Sequence, residues 1–324
     1  MQVLVTGAAG FAGRHACQEL AAHGYRVIGA DRVLPDAELP AVASWVQLDI
    51  TDPRACREVL AAHKPDACLH MAGIAFVPNA DAAADRVFLI NTVGTLHILD
   101  AALAECPKMR TLVVTTSEVY GDDGSGTGMP LREDTPLAPR NLYGISKAAA
   151  DQCALLYART RDLDVLTARP SNHTGPGQRP PFVVPAFIER LLALRACSGG
   201  KIKVGNLDSR RRFLDVRDVV RAYRLLLEKG RSGEAYNIST DVSLRIGAVL
   251  DLLVEKTGVA VETEIDPAFF RPTDATAALD LSKIKRDCGW GTAYDLSATL
   301  DAMLEEAGAI GKQRMKQDPL PGVL

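Results

Sequence analysis

Residues 3–13 read VLVTGAAGFAG, an apolar run that leads into three glycines at three-residue spacing. Gly7, Gly10 and Gly13 stand where a strand would turn into a helix. Glycine lets the backbone of such a turn approach a pyrophosphate closely, and the N-terminus of the following helix stabilises the phosphate charge. The stretch therefore predicts a dinucleotide-binding turn, with Phe11 as a cofactor contact at the start of the helix.

Apolar or β-branched runs alternate with helical patterns along the first half of the chain. The strand-like runs are VLVTG (3–7), RVIGAD (26–31), WVQLD (45–49), ACLHMAG (67–73), TLVVTTS (111–117) and DVLTARP (164–170). Strands that alternate with helices form a parallel sheet covered on both faces. We therefore expect an α/β fold of the Rossmann type, a doubly wound parallel sheet with a smaller C-terminal substrate-binding lobe.

The pattern becomes less regular after Pro170, because three prolines and two glycines fall within HTGPGQRPP (173–181). Such a stretch is a loop rather than another crossover. The expected division is into a dinucleotide-binding domain (1–170 and 216–239), a substrate lobe (171–215 and 240–310) and a solvated tail (312–324).

The composition excludes several classes of protein. The 324 residues carry a net charge of −3 without a basic stripe, so the sequence predicts neither a nucleic-acid surface nor a membrane surface. No run approaches the ~18 apolar residues of a membrane span. The seven cysteines form no Cys-x-x-Cys or Cys/His cluster, which predicts no metal site and fits a reducing compartment. We expect a cytoplasmic protein.

The ends of the second and third strands carry the residues that would meet the adenosine. Asp31 lies 24 residues after Gly7, where a carboxylate accepts hydrogen bonds from the ribose hydroxyls and repels a 2′-phosphate. This position favours NAD(H). Arg32 could instead pair with a 2′-phosphate, so NADP(H) stays possible. Asp49 and Ile50 are placed to meet the adenine, although Asp49 could equally cap the next helix.

Two further segments would lie close to the reacting part of the cofactor. Met71, Ala72 and Gly73 follow the fourth strand, where a cofactor would cross the sheet. In YGISK, Tyr143 and Lys147 stand four residues apart and hence on one face of a helix. An ammonium beside a phenol stabilises the phenolate, so this pair can exchange a proton with a carbinol or a ketone near neutral pH.

The ordered motifs of residues 1 to about 310 resemble the extended short-chain dehydrogenase/reductase family. They are TGAAGFAG, HMAG, NTVGT, TTSEVYG, YGISK, ARPSNHTGPGQ, RRRFLDVRD and FFRP. The resemblance implies Tyr143 as the general acid/base, with Lys147 as its electrostatic partner and a ribose contact. It implies Thr116 as the hydroxyl that polarises the substrate oxygen. Pro170 and His173 join the cofactor-binding set on the same ground.

Glu118, within TTSEVYG, leaves the reaction open. The nucleotide-sugar 4,6-dehydratases of the family carry a carboxylate at this position, where it removes the C5 proton. The segments RPSNHTGPGQ and VGNLDSRRRFLDVRDVVRAY resemble instead the reductases of GDP-linked 4-keto-6-deoxyhexoses, in which Glu118 would be a relic or a ligand of a sugar hydroxyl. We expect NAD(P)H-dependent reduction to GDP-D-rhamnose. The alternatives are 4,6-dehydration, 4-epimerisation and, in a different class, a non-catalytic dinucleotide sensor.

A nucleoside diphosphate sugar carries two phosphate charges, which a chain of net charge −3 must meet with arginines brought together by the fold. The resemblance implies that Arg211 and Arg271 bind the diphosphate and that Asn172 binds phosphate or sugar. Arg179 is a further candidate. These four residues are the expected substrate-binding set.

The helical stretches around 85–105 and 143–160 are rich in Ala and Leu. The second carries more apolar surface than one face of a solvated helix needs, which favours an interface. We expect a homodimer formed through a four-helix bundle, to which each protomer contributes both helices.

Overall fold

The computed structural model describes residues 1–35, 39–75, 84–121, 129–197, 199–270 and 278–317, with side chains described as far as residue 308. The chain folds into two compact units. Unit 1 consists of Met1–Ser171, Val216–Asp241 and Thr276–Thr292, and unit 2 consists of Asn172–Asp215, Val242–Ala275 and Ala293–Leu324.

Strands and helices mostly alternate in unit 1, whereas several short strands follow one another in unit 2. The strands are β1 (Gln2–Thr6), β2 (Arg26–Asp31), β3 (Ser44–Gln47), β4 (Ala67–His70), β5 (Arg110–Val114), β6 (Val165–Pro170), β7 (His173–Thr174), β8 (Gly200–Val204), β9 (Arg210–Arg211), β10 (Leu214–Asp215), β11 (Ala235–Ile238), β12 (Leu244–Arg245) and β13 (Val261–Ile265). The helices are α1 (Phe11–Ala22), α2 (Pro53–His63), α3 (Ala84–Phe88), α4 (Gly94–Glu105), α5 (Leu142–Arg161), α6 (Val183–Ala196), α7 (Val216–Lys229), α8 (Ile246–Thr257), α9 (Ser282–Cys288) and α10 (Leu296–Gln317).

The described part of unit 1 contains a parallel seven-stranded sheet in the order β11-β6-β5-β4-β1-β2-β3. Val3, Leu4 and Val5 of β1 are fully buried, as expected for a central strand whose two faces are both covered. The chain runs outward from β1 to β3 and then returns to the other side of β1 with β4. This reversal creates a switch point between β1 and β4, where Rossmann folds bind ligands. The predicted fold class is confirmed.

One continuous helical run, Ala84–Glu105, comprises α3, a π-helical turn at Leu89–Val93, and α4. Its length and composition alone would suffice to span a membrane, but core helices of globular proteins pass the same test. Here α4 packs against α2 and α5. Asn91 and Thr95 are buried polar residues with hydrogen-bond partners inside unit 1. We therefore interpret the run as a core helix of unit 1.

The described residues of unit 2 form three pairs of short strands and three helices. β8 pairs with β13 and β7 with β10, both in parallel, whereas β9 and β12 are antiparallel. Helices α6, α8 and α10 supply the apolar core of this unit. Its buried side chains include Phe187, Leu191, Val249, Leu253 and Leu300.

The structure corrects two boundaries of the expected division. Thr276–Thr292, expected in the substrate lobe, belong to unit 1 because Leu279 bridges to Leu131 and the buried Trp290 indole donates to Asp218 O at 2.9 Å. The helix α10 continues to Gln317, although a tail was expected from residue 312. The Lys, Gln, Arg and Met residues of KQRMKQ favour helix intrinsically, so this extension needs no apolar stripe.

A buried ion pair joins α5 to β6 in unit 1. Arg169 and Asp151 are 2% and 0% exposed, and the guanidinium donates to both carboxylate oxygens at 3.1 and 2.7 Å. Arg169 also donates to the Tyr120 hydroxyl, which donates in turn to Asn237 Oδ1, each at 2.7 Å. These bonds tie α5, β6, β11 and the segment after β5 together beneath the carboxyl ends of the strands.

We predict that Asp151→Ala destabilises the protein by about 3–5 kcal/mol, because it leaves the Arg169 guanidinium buried and unpaired. The matched control is Asp164→Ala, which removes the partner of Arg110 from a pair whose carboxylate is 37% exposed; it should cost about 0–1 kcal/mol. Urea unfolding of both variants checks the difference. Equal losses would contradict it.

Candidate active site

The glycine turn closes tightly between β1 and α1. Gly7 adopts φ = +73°, and Gly7 N and Ala8 N both donate to Ala30 O, at 2.8 and 3.2 Å. A Cβ on Gly13 would lie 2.1 Å from Gly7 O, so no side chain fits there. Gly10 is the N-cap of α1 and offers no side-chain cap to the first amides of the helix. The turn therefore fits a pyrophosphate, which such amides bind.

Asp31 is tied to the same turn. Its Oδ2 accepts a hydrogen bond from Ala9 N at 3.0 Å, whereas the neighbouring Arg32 is exposed. The bond fixes the carboxylate at the carboxyl end of β2, the location at which a ribose contact is made in folds of this type. Asp31 therefore remains the predicted ribose ligand of a bound dinucleotide.

Asp49 and Ile50 lie beyond the end of β3. Asp49 Oδ1 accepts from Thr51 N at 2.9 Å and from Thr51 Oγ1 at 2.7 Å, and these bonds hold the pKa of Asp49 below its ordinary value. The alternative that Asp49 caps α2 is wrong, because Asp52 is the cap. Ile50 is buried, and a Cβ on Gly94 would lie 2.6 Å from its Cδ1. The adenine contacts of Asp49 and Ile50 stay predictions.

A chain of hydrogen bonds fixes the segment after β4. Thr6 Oγ1 accepts from Met71 N and Ala72 N at 3.1 Å each, which leaves its own hydrogen for His70 Nδ1 at 2.8 Å. The His70 tautomer is therefore the one protonated on Nε2, which donates to Thr95 Oγ1 at 3.1 Å. Burial, together with a nearby positive charge, lowers the pKa of His70 to about 3, so the ring is neutral. His70 is a structural link here.

Asn91, in the π-helical turn, connects this segment to α5. Its Oδ1 accepts from Ile74 N at 2.8 Å, and its Nδ2 donates to Ile74 O at 3.2 Å and to Ser146 Oγ at 3.1 Å. A Cβ on Gly73 would lie 3.0 Å from both Asn91 Oδ1 and Lys147 Nζ. The missing side chain at Gly73 therefore makes room for the ammonium beside the switch point.

The structure brings Thr116, Tyr143 and Lys147 together beyond the end of β5. Burial raises the pKa of Tyr143 above its ordinary value and the charge of Glu118 adds to the rise. The Thr116 hydroxyl lies near enough to the phenol to oppose this rise. Lys147 is 7% exposed and donates to Val114 O at 3.0 Å, and burial lowers its pKa to about 8. The Tyr143 phenol is thus protonated, and the Lys147 ammonium lies one helical turn further along α5.

Glu118 lies in a short 3₁₀ helix of one turn, Ser117–Tyr120, that follows Thr116. Its Oε2 accepts from Asn141 Nδ2 at 2.8 Å, and its backbone N donates to Thr116 Oγ1 at 3.2 Å. The carboxylate is also near enough to raise the pKa of Tyr143. The structure therefore brings Glu118 to the same site as the predicted hydroxyl and phenol.

The three predicted substrate residues that the structure describes belong to unit 2. Asn172 accepts from Leu214 N through its backbone oxygen at 2.9 Å, Arg211 lies in β9, and Arg179 is exposed. Arg271 lies outside the described residues. The remaining predicted cofactor residues are Pro170, which ends β6 in unit 1, and His173, which lies in β7 of unit 2.

Three residues of the site carried no assigned role in the sequence: Asn91, Ser146 and Asn141. Asn91 opens the NTVGT motif and Ser146 lies inside YGISK, so both belong to recognised motifs. Asn141 precedes Tyr143 by two residues, and an asparagine just before a helical pattern is an N-cap signal. No sequence pattern indicated the hydrogen bonds that these three residues make to other segments.

The site combines a glycine turn at a switch point with the Thr116 hydroxyl after β5 and with Tyr143 and Lys147 on α5. This is the arrangement of a Rossmann-fold protein of the short-chain dehydrogenase/reductase type. Residues 3–239 match the NAD dependent epimerase/dehydratase family, and the chain belongs to this family. The predicted resemblance is thereby confirmed.

Relatives in this family carry out different reactions. The chain is 31% identical over 307 residues to GDP-6-deoxy-D-mannose reductase of Pseudomonas aeruginosa, covering 94% of this chain and 96% of that protein. It is 35% identical over 317 residues to dTDP-glucose 4,6-dehydratase of Xanthomonas campestris pv. campestris, covering 90% and 88%. The solved structure of RMD from Pseudomonas aeruginosa complexed with NADPH matches with a TM-score of 0.83 at 30% identity, covering 95% and 99%.

We predict that kcat/KM falls as the pH rises through about 8, because Lys147 then loses the charge that supports Tyr143. The amine is charged below this pH and neutral above it. Lys147→Met should lower kcat/KM by about 10²-fold and remove this alkaline decline. Lys147→Arg is the control, since a guanidinium stays charged across the range. Profiles from about pH 6 to 10 in which Lys147→Met keeps the decline would assign it to another group.

Proposed function

We propose that the protein reduces the C4 ketone of a GDP-linked 4-keto-6-deoxyhexose with NAD(P)H and forms GDP-D-rhamnose. The observation that carries this proposal is that α5 places the Tyr143 phenol near the Thr116 hydroxyl and buries the Lys147 ammonium one helical turn further on. The 31% identity to GDP-6-deoxy-D-mannose reductase supports the choice of sugar and nucleotide.

The three side chains have distinct roles in this proposal. Because the Thr116 hydroxyl lies near the Tyr143 phenol, we propose that both contact a single carbonyl oxygen. Thr116 polarises that oxygen and Tyr143 delivers the proton, since its raised pKa keeps the phenol protonated. The Lys147 charge stabilises the phenolate that remains. When bound, the nicotinamide supplies the hydride to C4.

The residues of unit 1 also suggest which dinucleotide is bound. The Asp31 carboxylate, held by Ala9 N, favours NAD(H) because it would repel a 2′-phosphate. NADP(H) stays possible, since Arg32 is exposed beside it and the RMD structure carries NADPH. NAD(H) is the cofactor we propose for this chain.

We predict that Asp31→Asn weakens the preference for NADH over NADPH by about tenfold, which corresponds to ~1.4 kcal/mol. The asparagine keeps an oxygen for Ala9 N and removes only the charge. Arg32→Ala is the control, because it should weaken NADPH binding and leave NADH unaffected. Titration of both cofactors by fluorescence quenching measures the two ratios. An unchanged ratio in Asp31→Asn would argue against a ribose contact.

Dehydration of an NDP-hexose is the alternative with specific support. It requires a carboxylate to remove the C5 proton, and Glu118 is held beside Tyr143. The 35% identity to dTDP-glucose 4,6-dehydratase favours the same reading. A 4-epimerase would use the same hydroxyl, phenol and ammonium. The intact set of these three groups weighs against a non-catalytic sensor.

Substrate binding and assembly complete the proposal. We propose that Asn172, Arg179, Arg211 and Arg271 hold the nucleotide sugar. A homodimer would use the exposed Leu89, Ile145 and Leu156, of which the last two stand eleven residues apart on one face of α5. A cytoplasmic location stays a prediction from the sequence.

A screen of NADH and NADPH oxidation with 4-keto-6-deoxy sugars on GDP, dTDP, UDP and CDP tests the reaction. We expect stoichiometric oxidation with the GDP sugar, lowered about 10²–10⁴-fold in Tyr143→Phe. Activity with a different nucleotide alone would reject guanine. Incorporation of solvent deuterium at C5 without net cofactor consumption, abolished in Glu118→Gln, would replace the reductase with a dehydratase. Unchanged cellular activity of Tyr143→Phe would favour a sensor.

A further inference from the structure

Asn141 uses both ends of its side-chain amide in unit 1. Its Oδ1 accepts from Gly144 N at 2.6 Å and so caps α5, the helix that carries Tyr143 and Lys147. Its Nδ2 donates to Glu118 Oε2 at 2.8 Å. One side chain therefore joins the start of α5 to the turn that follows β5, across 23 residues of sequence.

The cap alone does not require an asparagine. Serine, threonine and aspartate accept the same backbone hydrogen bond at a helix N-terminus. A cap that also donates to a neighbouring carboxylate needs a donor as well as an acceptor. Ionised aspartate has no donor, and the hydroxyl of serine or threonine sits on a shorter side chain, whereas the Asn amide carries its donor hydrogens on a separate atom. The bond to Glu118 therefore uses a property of asparagine that the cap of α5 does not require.

The surrounding backbone leaves little freedom for the two elements to separate. A Cβ on Gly144 would lie 3.1 Å from Glu118 O and 3.0 Å from Pro139 Cβ, so the helix start packs directly on the turn. The Glu118 backbone N bonds to Thr116 Oγ1. The Glu118 side chain is consequently the adjustable part, and the Asn141 amide determines where its carboxylate points.

We propose that Asn141 is a positioning residue that holds the Glu118 carboxylate in register with Tyr143 and Thr116. This inference rests on the proposed function insofar as Glu118 faces the sugar, either as a ligand of a hydroxyl or as a base. In this proposal Asn141 contacts Glu118 and Gly144 and is not itself a ligand of the sugar or the cofactor. It acts through the direction and the charge environment of Glu118.

The experiment compares Asn141→Asp with Asn141→Ala and combines each with Glu118→Gln. Aspartate keeps the cap but turns an oxygen toward Glu118, so kcat/KM should fall at least about tenfold by repulsion, while Tm stays unchanged or rises. Alanine removes the cap as well, and Tm should fall by about 2–4 °C.

In the Glu118→Gln background, Asn141→Asp should change kcat/KM by less than about twofold. Multiplicative losses in the double variant would overturn the proposal.

A crystal structure of Asn141→Ser separates this inference from the proposed reaction. Serine keeps the cap and is too short to donate to the Glu118 carboxylate, so we expect the Glu118 side chain to leave its wild-type position. An unmoved Glu118 would overturn the proposal whatever reaction the protein catalyses. If the wild type fails to reduce the GDP sugar, Asn141→Asp and Asn141→Ser are compared with the wild type, without the Glu118 variant, on the nucleotide sugar that it dehydrates or epimerises, and the crystal structure supplies the test of position. The reductase assignment would then fail while the positioning role stands.

Discussion

A buried ammonium is the constraint on which the site depends. Lys147 Nζ is withdrawn from water, which lowers its pKa to about 8, and it bonds to the backbone oxygen that ends β5. For the charge to fit, Gly73 must lack a side chain and Asn91 must hold the segment after β4 in place. Three chain segments that are distant in sequence therefore converge on one cation. An amine in such a place is costly to bury, which is the usual signature of a functional group.

The polar groups near Lys147 form a chain of hydrogen bonds in which each donor has a defined acceptor. Thr6 fixes the tautomer of His70, His70 donates to Thr95, and Thr95 donates to Asn91 O at 2.8 Å. On the other side of the sheet centre, the pair of Asp151 and Arg169 holds α5 on β6. Buried networks of this kind are favourable only when their members are all paired, and they then define one arrangement. These two networks hold in place the segments that carry Thr116, Tyr143 and Lys147.

The sequence predicted the parts of the site that obey local rules. The glycine turn, Asp31 and the pair of Tyr143 and Lys147 follow from strand-to-helix spacing and helical periodicity. Contacts across the fold do not follow from spacing. Glu118 and Asn141 meet only because the turn after β5 packs on the start of α5, and Thr276–Thr292 join unit 1 through contacts such as the Leu279–Leu131 bridge and the Trp290 bond to Asp218. The cap of α2 is Asp52, three residues beyond the Asp49 that the sequence suggested, because the helix begins later than expected.

The choice among reduction, dehydration and epimerisation cannot lie in the pair of Tyr143 and Lys147, because all three reactions need a proton moved at the C4 oxygen. The groups that differ must act at another atom of the sugar. In unit 1 a candidate for such a group is Glu118, in the turn Ser117–Tyr120 and two residues from Thr116. A carboxylate there can accept a bond from a sugar hydroxyl or remove a proton from carbon, depending on its direction. Since that direction is set from α5 through Asn141, we propose that the reaction is decided where the turn and the helix meet.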